Sequence, residues 1–267
     1  MTNGLRTRND GWDARFRLGV IVPHADVGPE AELQAMAPPD VSIHAGRVYF
    51  GAMRAGGKMD PKIPHDPVLA FVAPGAIDET LELLAAAPLD AIGLAFTSSA
   101  YKLGPAGEDD LVDRLAERAR GIPLLSGGRA AAEGLRSLGV HRLALIHPPW
   151  FDDALDELGA RYFEAQGFEV VHHAPAAIPS DQSLITADAV FEHVRDVARD
   201  ADGVFIAGNG FRAVGAIARL EHALGIPVLS ANQALLWRAL AGHVSGRGAS
   251  RTVHGFGRLF DAEASAF

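Results

Sequence analysis

The two halves of the sequence resemble each other, and this repetition constrains the fold more than any other feature. Three segments of the first half recur in the same order in the second, and the pairs are 17–24 with 142–149, 90–104 with 202–215, and 121–139 with 225–242. Buried parallel strands are alike because they are all rich in Val, Ile and Leu. The last pair also shares Gly-Ile-Pro, an aliphatic residue and Leu-Ser, which buried strands do not require. The repetition therefore predicts two copies of one folding unit.

Short β-type runs alternate with stretches of helical spacing in both halves. Examples of the β-type runs are LGVIVP (18–23) and GVFIAG (203–208), and an example of the helical spacing is EDDLVDRLAERAR (108–120). Such alternation is typical of α/β folds with parallel sheets. Together with the repeat, it predicts two pseudo-twofold related, Rossmann-like parallel-sheet domains with a cleft between them.

The repeat also suggests where the domains begin and end. We expect residues 1–15 to form a disordered tail, residues 16–125 the first α/β domain, and residues 126–230 the second. The segment 231–267 should then return to the first domain, beginning with the helical sequence ALLWRALAG.

Composition excludes several kinds of function. The formal net charge is −9, from 24 Lys and Arg against 33 Asp and Glu, so attraction to nucleic acid or to an anionic membrane is not expected. The absence of cysteine excludes disulfides, thiolate catalysis and cysteine-ligated metals. No signal peptide or membrane span is predicted, which favours a cytoplasmic protein. The sequence is compatible with a homo-oligomer.

Two small polar turns occupy equivalent positions in the repeat. Thr97, Ser98 and Ser99 follow one apolar strand, and Gly208-Asn209-Gly210 follows its counterpart. In open α/β sheets, ligands bind beyond the carboxyl ends of the strands, where backbone N–H groups and helix N-termini favour anions. We therefore expect the two turns to face each other across one binding site for a small carboxylate.

These turns and two strand ends resemble the aspartate/glutamate racemase superfamily, in the branch of maleate cis-trans isomerase and arylmalonate decarboxylase. The resemblance spans about residues 17–243. Its four motifs are Phe96-Thr97-Ser98, Gly208-Asn209-Gly210-Phe211-Arg212, Val22-Pro23-His24-Ala25-Asp26 and His147-Pro148-Pro149-Trp150. The order of the motifs, matched in both halves, is more specific than any one of them.

The sequence departs from this family at the cysteines. The resemblance implies thiol chemistry at two positions, and here they hold Phe96 and Gly208. What it still implies is a cofactor-independent enzyme that acts on a small carboxylic or dicarboxylic acid through an enolate-like intermediate, as a decarboxylase-like lyase or a maleate-isomerase-like isomerase. The alternative is a non-catalytic protein that binds or senses a small carboxylate on the same fold.

Three residues are candidates for acid–base catalysis. Asp26 stands where the family has Asn or an acidic residue, and a carboxylate in a partly buried cleft can exchange protons. It also precedes Gly-Pro-Glu-Ala-Glu, so an N-terminal helix cap is the alternative. His24 and His147 lie at equivalent strand ends, and histidine could replace a missing thiol as proton donor.

Two aromatic residues complete the predicted site. Trp150 falls near a family tyrosine and could donate its indole N–H, while Tyr101 could supply a hydroxyl; packing is the alternative for both.

No metal-binding spacing is present. The Gly-rich segment 50–66 could form a lid over the cleft. Because Gly208 has no side chain, we expect it to leave room for a cysteine at that position.

Overall fold

The computed structural model describes residues 11–198, 200–241 and 252–261. In the first half the strands are β1 (Phe16–Pro23), β2 (Val41–Val48), β3 (Met53–Arg54), β4 (Lys58–Met59), β5 (Ala91–Leu94) and β6 (Leu124–Ser126). Four of them form a parallel sheet in the order β2-β1-β5-β6, while β3 and β4 pair as a short antiparallel hairpin.

The second half repeats this sheet. Its strands are β7 (Arg142–His147), β8 (Glu169–Pro175), β9 (Gly203–Ile206) and β10 (Val228–Ser230). They pair in parallel in the order β8-β7-β9-β10, so each strand has a counterpart at the same place in the first sheet. The prediction of an α/β fold with two related Rossmann-like halves is confirmed.

Helices connect the parallel strands, as crossover connections require. They are α1 (Gly28–Met36), α2 (His65–Val72), α3 (Ala76–Leu84), α4 (Thr97–Ala116), α5 (Gly127–Ser137), α6 (Asp153–Glu164), α7 (Ala187–Val197), α8 (Val214–Leu224) and α9 (Ala231–Ala241). Two 3₁₀ turns cover Gln182–Leu184 and Arg258–Asp261. Helix α4 is interrupted at Gly104, which has a φ of +70° and is followed by Pro105. Among the described residues, no helix is long and apolar enough to cross a membrane.

Two helices cross between the halves. Helix α9 follows the last strand of the second sheet, yet it contacts α1, β5 and β6 of the first half, and α5 contacts β9 and β10 of the second. Gly93 makes the approach of α9 possible, because a β-carbon there would lie 2.9 Å from Leu235. Residues 1–10, 242–251 and 262–267, which belong to the predicted tail and returning segment, lie outside the described residues.

A buried carboxyl also joins the halves. Glu108 of α4 is 2% exposed and accepts hydrogen bonds from the hydroxyls of Ser126 and of Tyr162, which lies on α6. Burial raises the pKa of Glu108 from 4.5 to about 7, against the opposing effects of the Tyr162 hydrogen bond, the charge of Arg129 and backbone hydrogen bonds.

This raised pKa predicts a pH-dependent stability. A carboxyl that holds its proton more tightly in the folded state stabilises that state fully below pH 4.5, and the contribution is lost as the pH rises through about 7. The difference corresponds to about 3 kcal/mol in the free energy of unfolding. Between pH 4.5 and 8, the free energy of unfolding measured with denaturant should fall less in Glu108→Gln than in the parent. The control is Glu117→Gln, an exposed position next to the C-terminus of the same helix, and its free energy of unfolding should fall with pH as much as that of the parent. An equal fall in all three proteins would contradict the assignment of this pH dependence to Glu108.

Candidate functional site

A small cavity of about 50 Å³ lies beyond the carboxyl ends of β1, β5 and β9, between the two halves. Both predicted turns line it, as do Asp26 and Trp150. The other lining residues are mainly apolar and are Pro23, Phe50, Met59, Ile63, Phe71, Ala95, Phe96 and Phe151. Asp26 is the one ionisable side chain among the described residues that line this cavity.

The two turns are in direct contact. The backbone N–H of Gly208 donates to Oγ1 of Thr97 over 3.1 Å. Thr97 is nearly fully buried, and its hydroxyl proton has no acceptor among the described residues. The contact therefore occupies the Gly208 N–H and leaves the Thr97 proton available to a ligand.

The N-terminus of α4 opens onto the cavity. The first four N–H groups of a helix have no partner within it, and no side chain caps those of α4. The positive end of the helix dipole favours an anion there. Ser98 adds a hydroxyl that bonds no other described residue, whereas the hydroxyl of Ser99 donates to the carbonyl of Val68 over 3.0 Å. Ser99 can therefore offer only its backbone N–H.

The second turn contributes backbone donors and is held by a buried network. The N–H groups of Asn209 and Gly210 donate to no described residue. The side chains of Asn209 and Asn232 are bonded over 2.8 Å, and Asn232 also donates to Glu32 over 2.8 Å. Glu32 in turn accepts the N–H groups of Ala213 and Val214, over 2.6 and 3.0 Å. The N-terminus of α8 is thus already capped, unlike that of α4.

Asp26 lies against this second turn. It is 3% exposed, and Oδ1 accepts the N–H of Gly28 over 2.9 Å. A β-carbon on Gly210 would lie only 2.3 Å from Oδ2, so the absence of a side chain there permits the contact. Burial raises the pKa of Asp26, opposed by the hydrogen bond from the Gly28 N–H and by the charge of Arg47. Asp26 is not the N-terminal cap of α1, since that position is Val27, but its carboxyl still accepts the N–H of the first helical residue while lining the cavity.

Three other predicted residues, His24, His147 and Tyr101, do not line this cavity. Nδ1 of His24 accepts the backbone N–H of Phe50 over 3.2 Å. His147 is fully buried, bonds Asp156 through Nδ1 over 2.5 Å, and has its pKa lowered by burial. Tyr101 packs edge-on against His147. The structure therefore gives His147 and Tyr101 positions in the core, away from the cleft.

The two positions that the family resemblance assigns to cysteine are not equivalent. Phe96 lines the cavity and packs edge-on against Phe71, with ring centroids 4.8 Å apart. Gly208 has a φ of +88°, and a β-carbon there would lie 2.2 Å from Cγ of Pro148. The expectation that Gly208 leaves room for a cysteine is therefore wrong. Pro148, which follows the end of β7, occupies the space that the side chain would need.

Trp150 and three residues of the segment 50–66, which are Phe50, Met59 and Ile63, line the cavity. Trp150 is 3% exposed, packs against Phe211 and has an indole N–H without a partner among the described residues. Its carbonyl accepts the N–H of Ile63 over 2.9 Å, which fixes the segment to the second half. Two arginines in or next to this segment pair with carboxylates, Arg47 with Glu30 and Arg54 with Asp60.

A larger cavity of about 590 Å³ adjoins the small one, and both are lined by Asp26, Asn209 and Gly210. Its walls are rich in small residues from α1 and from the regions around the start of α7 and α8. Two residues with cationic side chains, Lys58 and Arg212, also line this larger cavity. In the described part of the chain, no group of three or more His, Asp or Glu side chains is arranged to hold a metal ion.

Sequence reasoning missed Glu32 and Gln182. Glu32 had a signal, because it lies beside Leu33 on the buried face of α1, where an acid must find partners. Gln182, whose Nε2 donates to the carbonyl of Gly210 over 2.9 Å, had none, since it belongs to a polar connection, Pro-Ser-Asp-Gln-Ser, that is typical of a solvated loop.

Comparison with known proteins agrees with this architecture. An arylmalonate decarboxylase from Bordetella bronchiseptica is 29% identical over 256 residues, covering 91% of this chain and 96% of that protein. A maleate isomerase from Pseudomonas putida is 25% identical and covers 81% of this chain and 87% of its own. These relatives are enzymes.

Solved structures show the same fold. The crystal structure of a maleate isomerase from Pseudomonas putida S16 with maleate superimposes with a TM-score of 0.79 at 22% identity, covering 93% of this chain and 98% of that one. A Nocardia farcinica maleate cis-trans isomerase variant with a bound succinylcysteine intermediate gives 0.77 at 24% identity, covering 92% and 98%. The present chain has no cysteine to form such an adduct.

The family model described as arylmalonate decarboxylase matches residues 18–260, from the first strand to the last 3₁₀ turn. The match includes both sheets, both turns of the cavity and the crossing helices. The chain belongs to the arylmalonate decarboxylase family.

Proposed function

We propose that this protein is a cofactor-independent enzyme that forms or quenches an enolate-like intermediate on a carboxylic acid, without cysteine, as a decarboxylase-like lyase or an isomerase. The observation that carries the proposal is the convergence of unpaired backbone N–H groups and one buried carboxyl, that of Asp26, on a single cavity.

The N–H groups would hold the carboxylate of the substrate. Those at the start of α4, together with Asn209 and Gly210, supply donors without a cationic side chain. The hydroxyls of Thr97 and Ser98 add two more. Fixed donors of this kind stabilise charge that develops in the transition state, and one such donor contributes about 3–4 kcal/mol in well-studied enzymes.

Asp26 would move the proton. In the lyase direction, the bond between the α-carbon and the leaving carboxylate breaks, carbon dioxide departs, and the electron pair forms an enolate on the retained carboxylate. Asp26 then donates its proton to the α-carbon and is reprotonated by water. The raised pKa favours this role, because the acid must hold a proton before it can donate one.

The two cavities suggest how the substrate lies. A volume of about 50 Å³ admits little more than a carboxylate and its α-carbon, whereas about 590 Å³ is in the range that holds the body of a small-molecule ligand. Since Asp26 and Gly210 line both, the substituent on the α-carbon would extend past them into the larger cavity.

Solvent-deuterium incorporation tests this function. The protein is incubated in deuterated buffer with a panel of substituted malonates, maleate, succinate and amino acids, and the α-carbon of recovered substrate and product is analysed by NMR and mass spectrometry. Deuterium at that carbon is the expected result with at least one acid, even where net turnover is slow. Binding by calorimetry with no exchange or turnover across the panel would instead favour the carboxylate-binding alternative, which the absence of thiols supports.

A further inference from the structure

The loop that carries Asp26 is bound by an arginine that lies outside both cavities. Arg47 belongs to β2 and lines neither of the two cavities described above. Its Nη1 donates to the carbonyl of Asp26 over 2.9 Å, and the carbonyls of His24 and Pro23 lie 3.3 and 3.5 Å away. Carbonyls at the end of a strand need new donors once the chain leaves the sheet. A single guanidinium nitrogen thus contacts three of the four carbonyls of residues 23–26.

The same guanidinium is also bonded to the helix that follows the loop. Nη2 of Arg47 pairs with the carboxylate of Glu30, which lies in the first turn of α1. The backbone of Arg47 lies opposite Val22 of β1 in the sheet. Because the donors of a guanidinium form a rigid planar fork, these contacts fix the loop relative to both β1 and α1.

Contacts on the other side of the loop leave the carboxyl of Asp26 little freedom. Its backbone N–H donates to the carbonyl of Pro23 over 3.1 Å, and its Oδ1 accepts the N–H of Gly28 over 2.9 Å. Gly210 of the second half is so close that a β-carbon there would lie 2.3 Å from Oδ2. A small shift of the loop would therefore either separate the carboxyl from this turn or bring the two into collision.

We propose that Arg47 is a positioning residue that fixes the backbone of residues 23–26 and thereby places the carboxyl of Asp26 at the boundary of the two cavities. The inference rests on the function proposed above for Asp26. Arg47 acts through the loop and touches neither the bound acid nor the reacting atoms. A displacement of about 1 Å in a reacting group can cost about 100-fold in rate, so such a residue has a measurable effect on the reaction.

The charge of Arg47 is a second way in which it could affect Asp26. This charge lowers the pKa of Asp26, but the charge of Glu30 raises it, and burial outweighs the effect of Arg47. Because the two paired charges oppose each other at Asp26, we expect the contacts of Arg47 with the loop to matter more than its charge.

Two variants separate the contacts from the charge. Arg47→Met removes every donor, whereas Arg47→Lys keeps the charge but has one nitrogen, which cannot serve the loop and Glu30 in the same geometry. Arg142→Met is the matched control. Arg142 is also a strand residue that bonds one carbonyl, that of Asp200, and one carboxylate, that of Glu169, and it lines neither cavity.

Amide hydrogen exchange followed by NMR tests the loop without any substrate. The N–H groups of His24, Asp26 and Gly28 are bonded to the carbonyl of Val48, the carbonyl of Pro23 and the Asp26 carboxyl. In both Arg47 variants these amides should exchange about tenfold faster or more, because the loop opens locally, while amides within β1 keep their protection. Arg142→Met should leave all of them unchanged.

Deuterium incorporation at the α-carbon of the best acid of the panel tests the effect on the reaction. It should fall about 10–100-fold in both Arg47 variants and stay within a few-fold of the parent in Arg142→Met. Affinity for that acid, measured by calorimetry, should change little, because the N–H groups that would hold it belong to α4 and to residues 209–210.

Three results would overturn the proposal. They are unchanged protection of the loop in both variants, parental activity in Arg47→Lys, and parental activity in a variant whose loop has lost protection. Arg47→Lys keeps the comparison if Arg47→Met folds poorly. A parent that exchanges deuterium with none of the acids would contradict the proposed function, while the amide protection would still test whether Arg47 fixes the loop.

Discussion

Replacing Asp26 with asparagine should reduce deuterium incorporation at the α-carbon by about 10²–10⁴-fold, the usual contribution of a general acid or base. Asparagine has nearly the same size and can still accept the N–H of Gly28, so the fold should be retained. The rate is measured with the best acid of the panel, and binding of that acid is measured separately by calorimetry.

His24→Gln is the matched control for this experiment. His24 lies two residues earlier at the same strand end, but its ring bonds the backbone of Phe50 and does not line the cavity. We therefore expect exchange in this variant within a few-fold of the parent. Comparable losses in the two variants, or exchange that survives in Asp26→Asn, would show that another group carries the proton.

Introducing a thiol at the second family position should destabilise the protein instead of restoring cysteine chemistry. In Gly208→Cys, a residue with a side chain must adopt a φ of +88°, which costs about 1–2 kcal/mol, and its β-carbon must displace Pro148, which adds about 1–3 kcal/mol. Denaturant unfolding should show a loss of about 2–5 kcal/mol, a large share of the 5–15 kcal/mol that stabilises a typical domain.

Gly121→Cys separates the two causes. Gly121 has a similar φ of +78°, but no atom lies within 4 Å of the position that a β-carbon would take. This control should lose only the backbone contribution of about 1–2 kcal/mol. Equal stability of the two variants would mean that Pro148 moves aside at little cost. A stable Gly208→Cys protein with proton-transfer activity would contradict the geometry described here.

The sequence by itself determined the architecture and the place of the cavity. The repeated Gly-Ile-Pro segments identified two copies of one unit, and strand–helix alternation identified parallel sheets. Because the carboxyl ends of parallel strands lie at one edge of a sheet, the sequence pattern is sufficient to place the turns 97–99 and 208–210 at the same site. Composition alone excluded a thiolate. These conclusions depend on local pattern and on residue type, which a sequence records directly.

Only the tertiary structure decided which polar groups are available to a ligand. Ser98 and Ser99 are adjacent, chemically identical and both line the cavity, yet the hydroxyl of Ser98 has no partner among the described residues whereas that of Ser99 is bound to the carbonyl of Val68. His24 and His147 occupy equivalent strand ends and both point elsewhere. Availability depends on partners that are distant in the chain, such as Glu32 and Ala213, which are 181 positions apart. The burial that raises the pKa of Asp26 arises only when both halves have folded around the same cleft.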